Sequence, residues 1–331
     1  MLSISATLSG IVVALGVVVG VAAVKPNSAA PATTRPLPHA VGEKVIFDTD
    51  FGQLNDDSQA LYLLLQSGAD VVGVTTVTGN TWAAEGAAYA LKQLELVHRN
   101  EVPVYEGASN PLLGSRQSRL AAEGAQFGKV SYTGAWKRDR PADYRHLATT
   151  PYLGYARTTK VAGSAAGFIA DQVKRNPHQI TLFVLGPATN VALAVTEHPE
   201  IVALVKQVIY MGGAYDVPGN QGPAAEFNVW FDPEAGRIAV NSPFAEQIIV
   251  PLDVYDALAA GVFLEPALIQ ASSTRKVQVD TTYRFDYGHT LGYLPSRAPV
   301  GTSPARIVQR IDVAAFFSLC IRNMTGPVRG R

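Results

Sequence analysis

What most constrains this chain is the alternation that begins at Lys44. Short runs of β-branched and apolar residues alternate with segments whose apolar positions recur at helical spacing. "KVIFDTD" and "DVVGVTTVTG" read as strands, and "SQALYLLLQSG" between them reads as a helix closed by Gly68. "WAAEGAAYALKQLELVHRN", "AAGFIADQVKRNP" and "NVALAVTEHP" predict further helices, while "ITLFVLGP", "VKQVIYMGG" and "EQIIVPLD" predict strands. Continuous apolar strands have no polar face to show to water. Both faces must be covered, and helices that return the chain between parallel strands do this. The expectation is an α/β domain over 44–331, a mostly parallel open sheet flanked by helices. A chain of 331 residues, 47% hydrophobic, can fill one large core of this kind.

The N-terminal segment differs in composition. "MLSISATLSGIVVALGVVVGVAAV" carries no charged side chain, and its purely apolar part, Gly10 to Val24, is shorter than the ~20 residues of a membrane span. It reads as a signal peptide over 1–24, with Ser28 and Ala30 as small residues near a cleavage point. An uncleaved membrane anchor is the alternative. Residues 25–43, rich in Pro, Ala and Thr, read as a linker. A secreted or extracytoplasmic location is therefore expected, or a membrane tether at the N-terminus. The single cysteine, Cys320, excludes an intramolecular disulfide, and Asn323-Met324-Thr325 forms a glycosylation sequon. Lys plus Arg equals Asp plus Glu at 27 each, so the formal net charge is zero. That balance argues against a nucleic-acid partner and suits a small neutral substrate.

The chemistry concentrates in "KVIFDTDFGQLNDDSQALYLLL", where Asp48, Asp50, Asp56 and Asp57 lie close together between two buried segments. In an open parallel sheet, ligands bind beyond the carboxyl ends of the strands. Asp48 and Asp50 fall at such an end, and strand alternation predicts that they point the same way. Asp56 and Asp57 fall at a helix start, where backbone N–H groups favour anions. Carboxylates held this close repel one another unless a cation lies among them, and hard oxygen donors suit Ca²⁺ or Mg²⁺. A capped helix with a solvated acidic loop is the plainer alternative.

These residues resemble a known family. "DTDFGQLNDDSQAL" is similar to the N-terminal signature of the inosine–uridine-preferring nucleoside hydrolases, calcium-dependent N-ribohydrolases with a Rossmann-related fold. The similarity continues through "VTTVTGN" ending at Asn80, "VLGPATN" at 184–190, "YMGGAY" at 210–215 and "GNQGPAAEFNVWFDPEA" at 219–235. Five blocks recur in the family's order. The resemblance implies hydrolysis of the N-glycosidic bond of ribonucleosides, with Ca²⁺ held by Asp50, Asp57 and the main-chain carbonyl of Leu185. It implies that Asp56, Asn80, Asn220, Glu226 and Asn228 surround the ribose, that Met211 lines its pocket and that Asp48 orients the acidic loop. Asp50 is the candidate general base for the attacking water. Glu226 and Asn228 are expected on one side of an extended segment. Homo-oligomers are common in the family.

The chain also departs from the family pattern. Phe51 stands where many members have Pro, and the loop "FGQLNDD" is two residues longer, a form that resembles a fungal-type branch. A fourth calcium ligand is expected near the C-terminus, and Asp312 in "RIDVAAFF" is the candidate, with a helix cap as its rival role. Ile311 then occupies the place of the histidine that protonates the leaving base. His289 is the candidate substitute, with Tyr215, Asp216 and Trp230 as further ones. Base recognition is expected from irregular lids at 109–159 and 253–303. Two other readings remain open at this point: a secreted nucleoside-binding protein with impaired catalysis, and a Mg²⁺-dependent phosphatase using Asp48 and Asp50.

Overall fold

The computed structural model describes residues 40–53, 55–128, 130, 132–222, 224–252 and 256–324. The expected leader at 1–24 and most of the expected linker lie outside them. The described residues belong to one compact unit. Among them, no helix is long and apolar enough to cross a membrane.

The alternation read from the sequence produces the expected elements. Strand β1 (Lys44–Thr49) leads into helix α1 (Asp56–Ser67), then β2 (Asp70–Thr76), α2 (Ala83–Leu96) and β3 (Val104–Glu106). After an excursion containing α3 (Leu120–Phe127) come α4 (Ala165–Arg175), β4 (Ile180–Val184), α5 (Thr189–Glu197) and β5 (Gln207–Met211). Two short helices, α6 (Phe227–Phe231) and α7 (Pro233–Asn241), precede β6 (Gln247–Val250) and α8 (Asp256–Leu264). The chain closes with β7 (Ile269–Val279), β8 (Thr290–Tyr293), β9 (Ser303–Ile311) and α9 (Val313–Met324).

The strands form one sheet in the order β3-β2-β1-β4-β5-β6-β9-β7-β8. Pairing is parallel from β3 through β9, and β7 runs antiparallel to both β9 and β8. β1 therefore lies inside the sheet, paired with β2 and β4. Its side chains alternate between two cores: Val45 and Phe47 pack with Leu61, Leu64 and Leu91, whereas Ile46 packs with Ile169, Leu182 and Val191. Such two-sided burial is the reason the strand carries only apolar residues between Lys44 at its start and Asp48.

Two regions differ from the sequence reading. The segment expected as a second irregular lid holds α8 and the antiparallel strands β7 and β8. In β7 the exposure alternates along much of the strand, as on a sheet face open to water. The sequon also fails as a presented site. Asn323 is buried, and its side-chain amide donates to the Leu319 carbonyl at 2.8 Å within α9.

Candidate active site

The carboxyl edge of β1 and β4 carries the acidic groups, and each is held differently. Asp48 faces the α4–α5 side. Its Oδ1 accepts from the Thr75 hydroxyl at 2.5 Å and the Asn190 amide at 2.7 Å, while its Oδ2 is buried without a partner. Burial pushes its pKa up to about 7 against the pull of those two hydrogen bonds. Asn190 ties several pieces together: its amide also donates to the Thr76 carbonyl at 3.0 Å, and its Oδ1 accepts from Ala108 N at 2.8 Å. In the sequence Asn190 stands only as the last residue of "VLGPATN". Its position on α5, one turn after Gly186-Pro187, was the available signal.

Thr49 and Asn55 organise Asp57. Asn55 caps α1, its Oδ1 accepting from Ser58 N at 3.4 Å, and its amide donates to Asp57 Oδ2 at 2.5 Å. The Thr49 hydroxyl donates to the other oxygen, Asp57 Oδ1. Because Asn55 serves as the cap, the Asp57 carboxylate is free for another role, and it is fully buried. Burial raises its pKa to about 7, and the neighbouring Asp56 charge adds to the rise.

Asp50 lies one residue past the end of β1, where strand alternation no longer sets its direction. It groups with Asp57 instead of following Asp48. Its Oδ2 accepts from Asn80 N at 2.7 Å, and its Oδ1 is buried with no partner. Burial raises its pKa well above the carboxylate range, and the charges of Asp57 and Asp56 raise it further. The turn that supplies Asn80 N comes so near that a Cβ on Gly79 would fall 2.2 Å from Asp50 Oδ2. Only glycine permits that approach.

The "AEFN" block is helical where the sequence suggested an extended segment. Glu226 is the N-cap of α6, and its carboxylate accepts from Asn228 N at 2.8 Å, Val229 N at 3.2 Å and Gly213 N at 3.0 Å. A carboxylate two residues before a backbone N–H is a natural cap, so alternation yields to capping here. The Asn228 amide donates to the Leu185 carbonyl at 3.0 Å and the Met211 carbonyl at 3.1 Å, leaving its Oδ1 buried and unpaired. Met211, Gly212, Gly213 and Asn228 border a small cavity of about 30 Å³. Asn220 is exposed in the loop that ends at the Gln221–Ala225 backbone pair.

Several expected residues are placed elsewhere. Asp312 caps α9, its Oδ1 accepting from Ala315 N at 2.9 Å while its own N–H donates to the Leu268 carbonyl at 2.8 Å. β9 is four strands from β1 in the sheet order, ~19 Å at the usual strand spacing. In this structure Asp312 takes the rival role, a helix cap. His289 is held by its backbone, donating to the Asp286 carbonyl at 2.8 Å and accepting from Asp280 N at 2.8 Å, in the turn before β8. Asp216 pairs with Arg275 at 3.0 Å, the Tyr215 hydroxyl is buried, and Trp230 is enclosed beneath the Arg116 guanidinium at 5.0 Å. None of these four is among the groups held around Asp50.

A hard divalent cation can be tested against these atoms. Two adjacent buried carboxylates, an unpartnered Asp50 Oδ1 and the Leu185 carbonyl are the donors such an ion takes. The set is short of side chains: among the described residues, no three Asp, Glu, His or Cys side chains converge as a metal cluster. The repulsion within the pair points to a cation, and the donors suit an ion that keeps water in its remaining positions.

The family model described as inosine-uridine preferring nucleoside hydrolase matches residues 45–255. The chain belongs to this family. An uncharacterized protein of Schizosaccharomyces pombe is 34% identical over 212 residues, covering 64% of this chain and 61% of its own length. A probable uridine nucleosidase 2 of Arabidopsis thaliana is 35% identical over 233 residues, covering 67% of this chain and 66% of its own length. The chain thus spans less than two thirds of the length of either relative. Among solved structures, a plant nucleoside hydrolase superposes with a TM-score of 0.71 at 25% identity, covering 86% of this chain and 99% of that one.

Proposed function

We propose that this nucleoside hydrolase family member cleaves the N-glycosidic bond of ribonucleosides with the assistance of Ca²⁺. The observation that carries the reading is the buried Asp50–Asp57 pair with Asp50 Oδ1 unpartnered, at a strand edge bordered by Asn80, Glu226 and Asn228. Buried carboxylates at this density are costly in a protein that does not use them.

Asp50, Asp57 and the Leu185 carbonyl would hold the cation, which when bound compensates their charge and polarises the hydroxyls or water it contacts. Asp50 Oδ1 takes the proton of the attacking water, since its other oxygen is fixed by Asn80 N. Asp56, at the mouth of the same edge, and Asn80 accept ribose hydroxyls. Asn228 offers its unpaired Oδ1 to a further sugar donor. Met211 and the α6 start form the wall beside it. Developing positive charge on the sugar ring is favoured by the carboxylates below it.

A reducing-sugar assay over a panel of purine and pyrimidine nucleosides, with and without EDTA, tests the reading. Ribose release that EDTA abolishes and calcium restores is the expected result. Asp312 acting as a cap favours a second reading, a nucleoside-binding protein with impaired turnover. Calorimetric binding of a nucleoside without ribose release would establish it.

A further inference from the structure

With His289 in the turn before β8, Asp216 paired with Arg275 and Tyr215 and Trp230 enclosed, the proton donors that the sequence offered are held away from Asp50. The excursion after β3 brings a different one. Ala135 N donates to the Gly79 carbonyl at 2.8 Å, fastening the 132–136 segment to the turn that holds Asp50 through Asn80. The approach is close: a Cβ on Gly134, which has φ +54°, would meet the Gly79 oxygen at 2.2 Å.

This attachment belongs to an aromatic cluster. Trp136 stacks on Phe231 at 4.1 Å, and Trp82, Phe227 and Trp230 belong to the same group. Those five rings are all buried. Tyr132 leans on Phe227 at 5.1 Å and an interplanar angle of 51°, yet remains 38% exposed. The Lys137 ammonium stands 5.1 Å over its ring centroid. An ordered phenol left open at the rim of an acid site, with a cation beside it, is placed to meet a ligand.

We infer that the Tyr132 hydroxyl is the group that protonates the departing base, which makes Tyr132 a catalytic residue of the reaction proposed above. As the C1′–N bond breaks, its electron pair goes to the base nitrogen and takes the phenolic proton. Water forms the new C1′–O bond and loses a proton to Asp50. Lys137 stabilises the resulting phenolate, which regains a proton from solvent. Burial holds the phenol's pKa above its ordinary value, so the hydroxyl carries its proton at neutral pH.

The test compares Tyr132→Phe with the wild type on a nucleoside and on p-nitrophenyl β-D-riboside, whose leaving group departs without protonation. A loss of about 10²-fold or more in kcat on the nucleoside is expected, with little change in KM and with nitrophenyl riboside turnover retained. The removed hydroxyl is at a part-exposed position, and an unchanged melting temperature checks that the fold is intact. His289→Ala is expected to behave as wild type on both substrates. Equal losses on both substrates in Tyr132→Phe, or no loss on either, would overturn the assignment. The inference rests on the hydrolase reading, and the wild type tells the two failures apart. Wild-type protein that cleaves nucleosides, with Tyr132→Phe matching it on them, overturns the donor alone. Inactivity on both overturns the hydrolase reading together with this inference.

Discussion

Two helices of this protein follow a strand and carry an aspartate at the start, and they use it in opposite ways. At α9, Asp312 turns its carboxylate back onto Ala315 N and closes its own helix. At α1, Asn55 performs the capping, and Asp57 is left to Thr49 and to the company of Asp50. The first aspartate contributes the modest stability of a cap. The second is buried against like charge, which costs stability and creates a site. An acid at a helix start thus becomes functional when another residue relieves it of capping.

The strongest way to break this comparison is at Asp50. Asp50→Asn is expected to lower ribose release by ~10²–10⁴-fold, while Asp312→Asn leaves it unchanged. An equal loss in both variants, measured as kcat/KM under saturating calcium, would mean that the two helix starts are not different in kind. Asp57→Asn should weaken turnover most at limiting calcium and recover partly as calcium is raised.

Stability supplies a second contrast. Asp48 and Asp57 have pKa values raised from 3.8 to about 7, and Asp232 from 3.8 to about 6, in each case first by burial. A carboxyl raised in the folded state contributes stability that is complete below its unfolded pKa and is lost as pH rises through the folded value. Melting in EDTA should therefore fall as pH is taken from about 4 to about 8, and calcium should oppose the fall at the upper end. A melting temperature that climbs steadily over that range in EDTA would refute the sign. Asp50→Asn in EDTA near the upper limit should melt higher than wild type, since it removes a buried charge whose Oδ1 has no partner.

The smallest effect belongs to α9. Asp312→Ala is expected to cost ~1 kcal/mol, a fall of roughly 2–4 °C in melting temperature, with calcium leaving the difference unchanged. A calcium-dependent difference, read by scanning calorimetry, would restore Asp312 to the metal site.

Much of the site was legible because its signals are local. D-x-D at a strand end, N-D-D before a helix and Gly79-Asn80 after β2 are each short stretches that mark one edge, although the strand's alternation did not set the direction of Asp50. Glu226 was expected beside the sugar on an extended segment, and its role as a helix cap was not legible, because four residues cannot show whether the chain coils or extends after them. Tyr132 was not legible at all. Its neighbour in function, Asp50, is far away in sequence, and the Ala135–Gly79 hydrogen bond that joins their segments leaves no local pattern.

The sequence by itself determined the parallel sheet, the order of its first strands and helices, and the strand edge where the acids gather. Hydrophobic periodicity and turn residues act over a few positions, and the chain displays them openly. Only the tertiary structure decided which aspartate caps and which faces another, that the C-terminal segment extends the sheet, and that the 132–136 segment fastens to the turn beside Asp50. Those outcomes depend on contacts between distant segments, where burial and neighbouring charge, rather than residue type, set what a side chain can do.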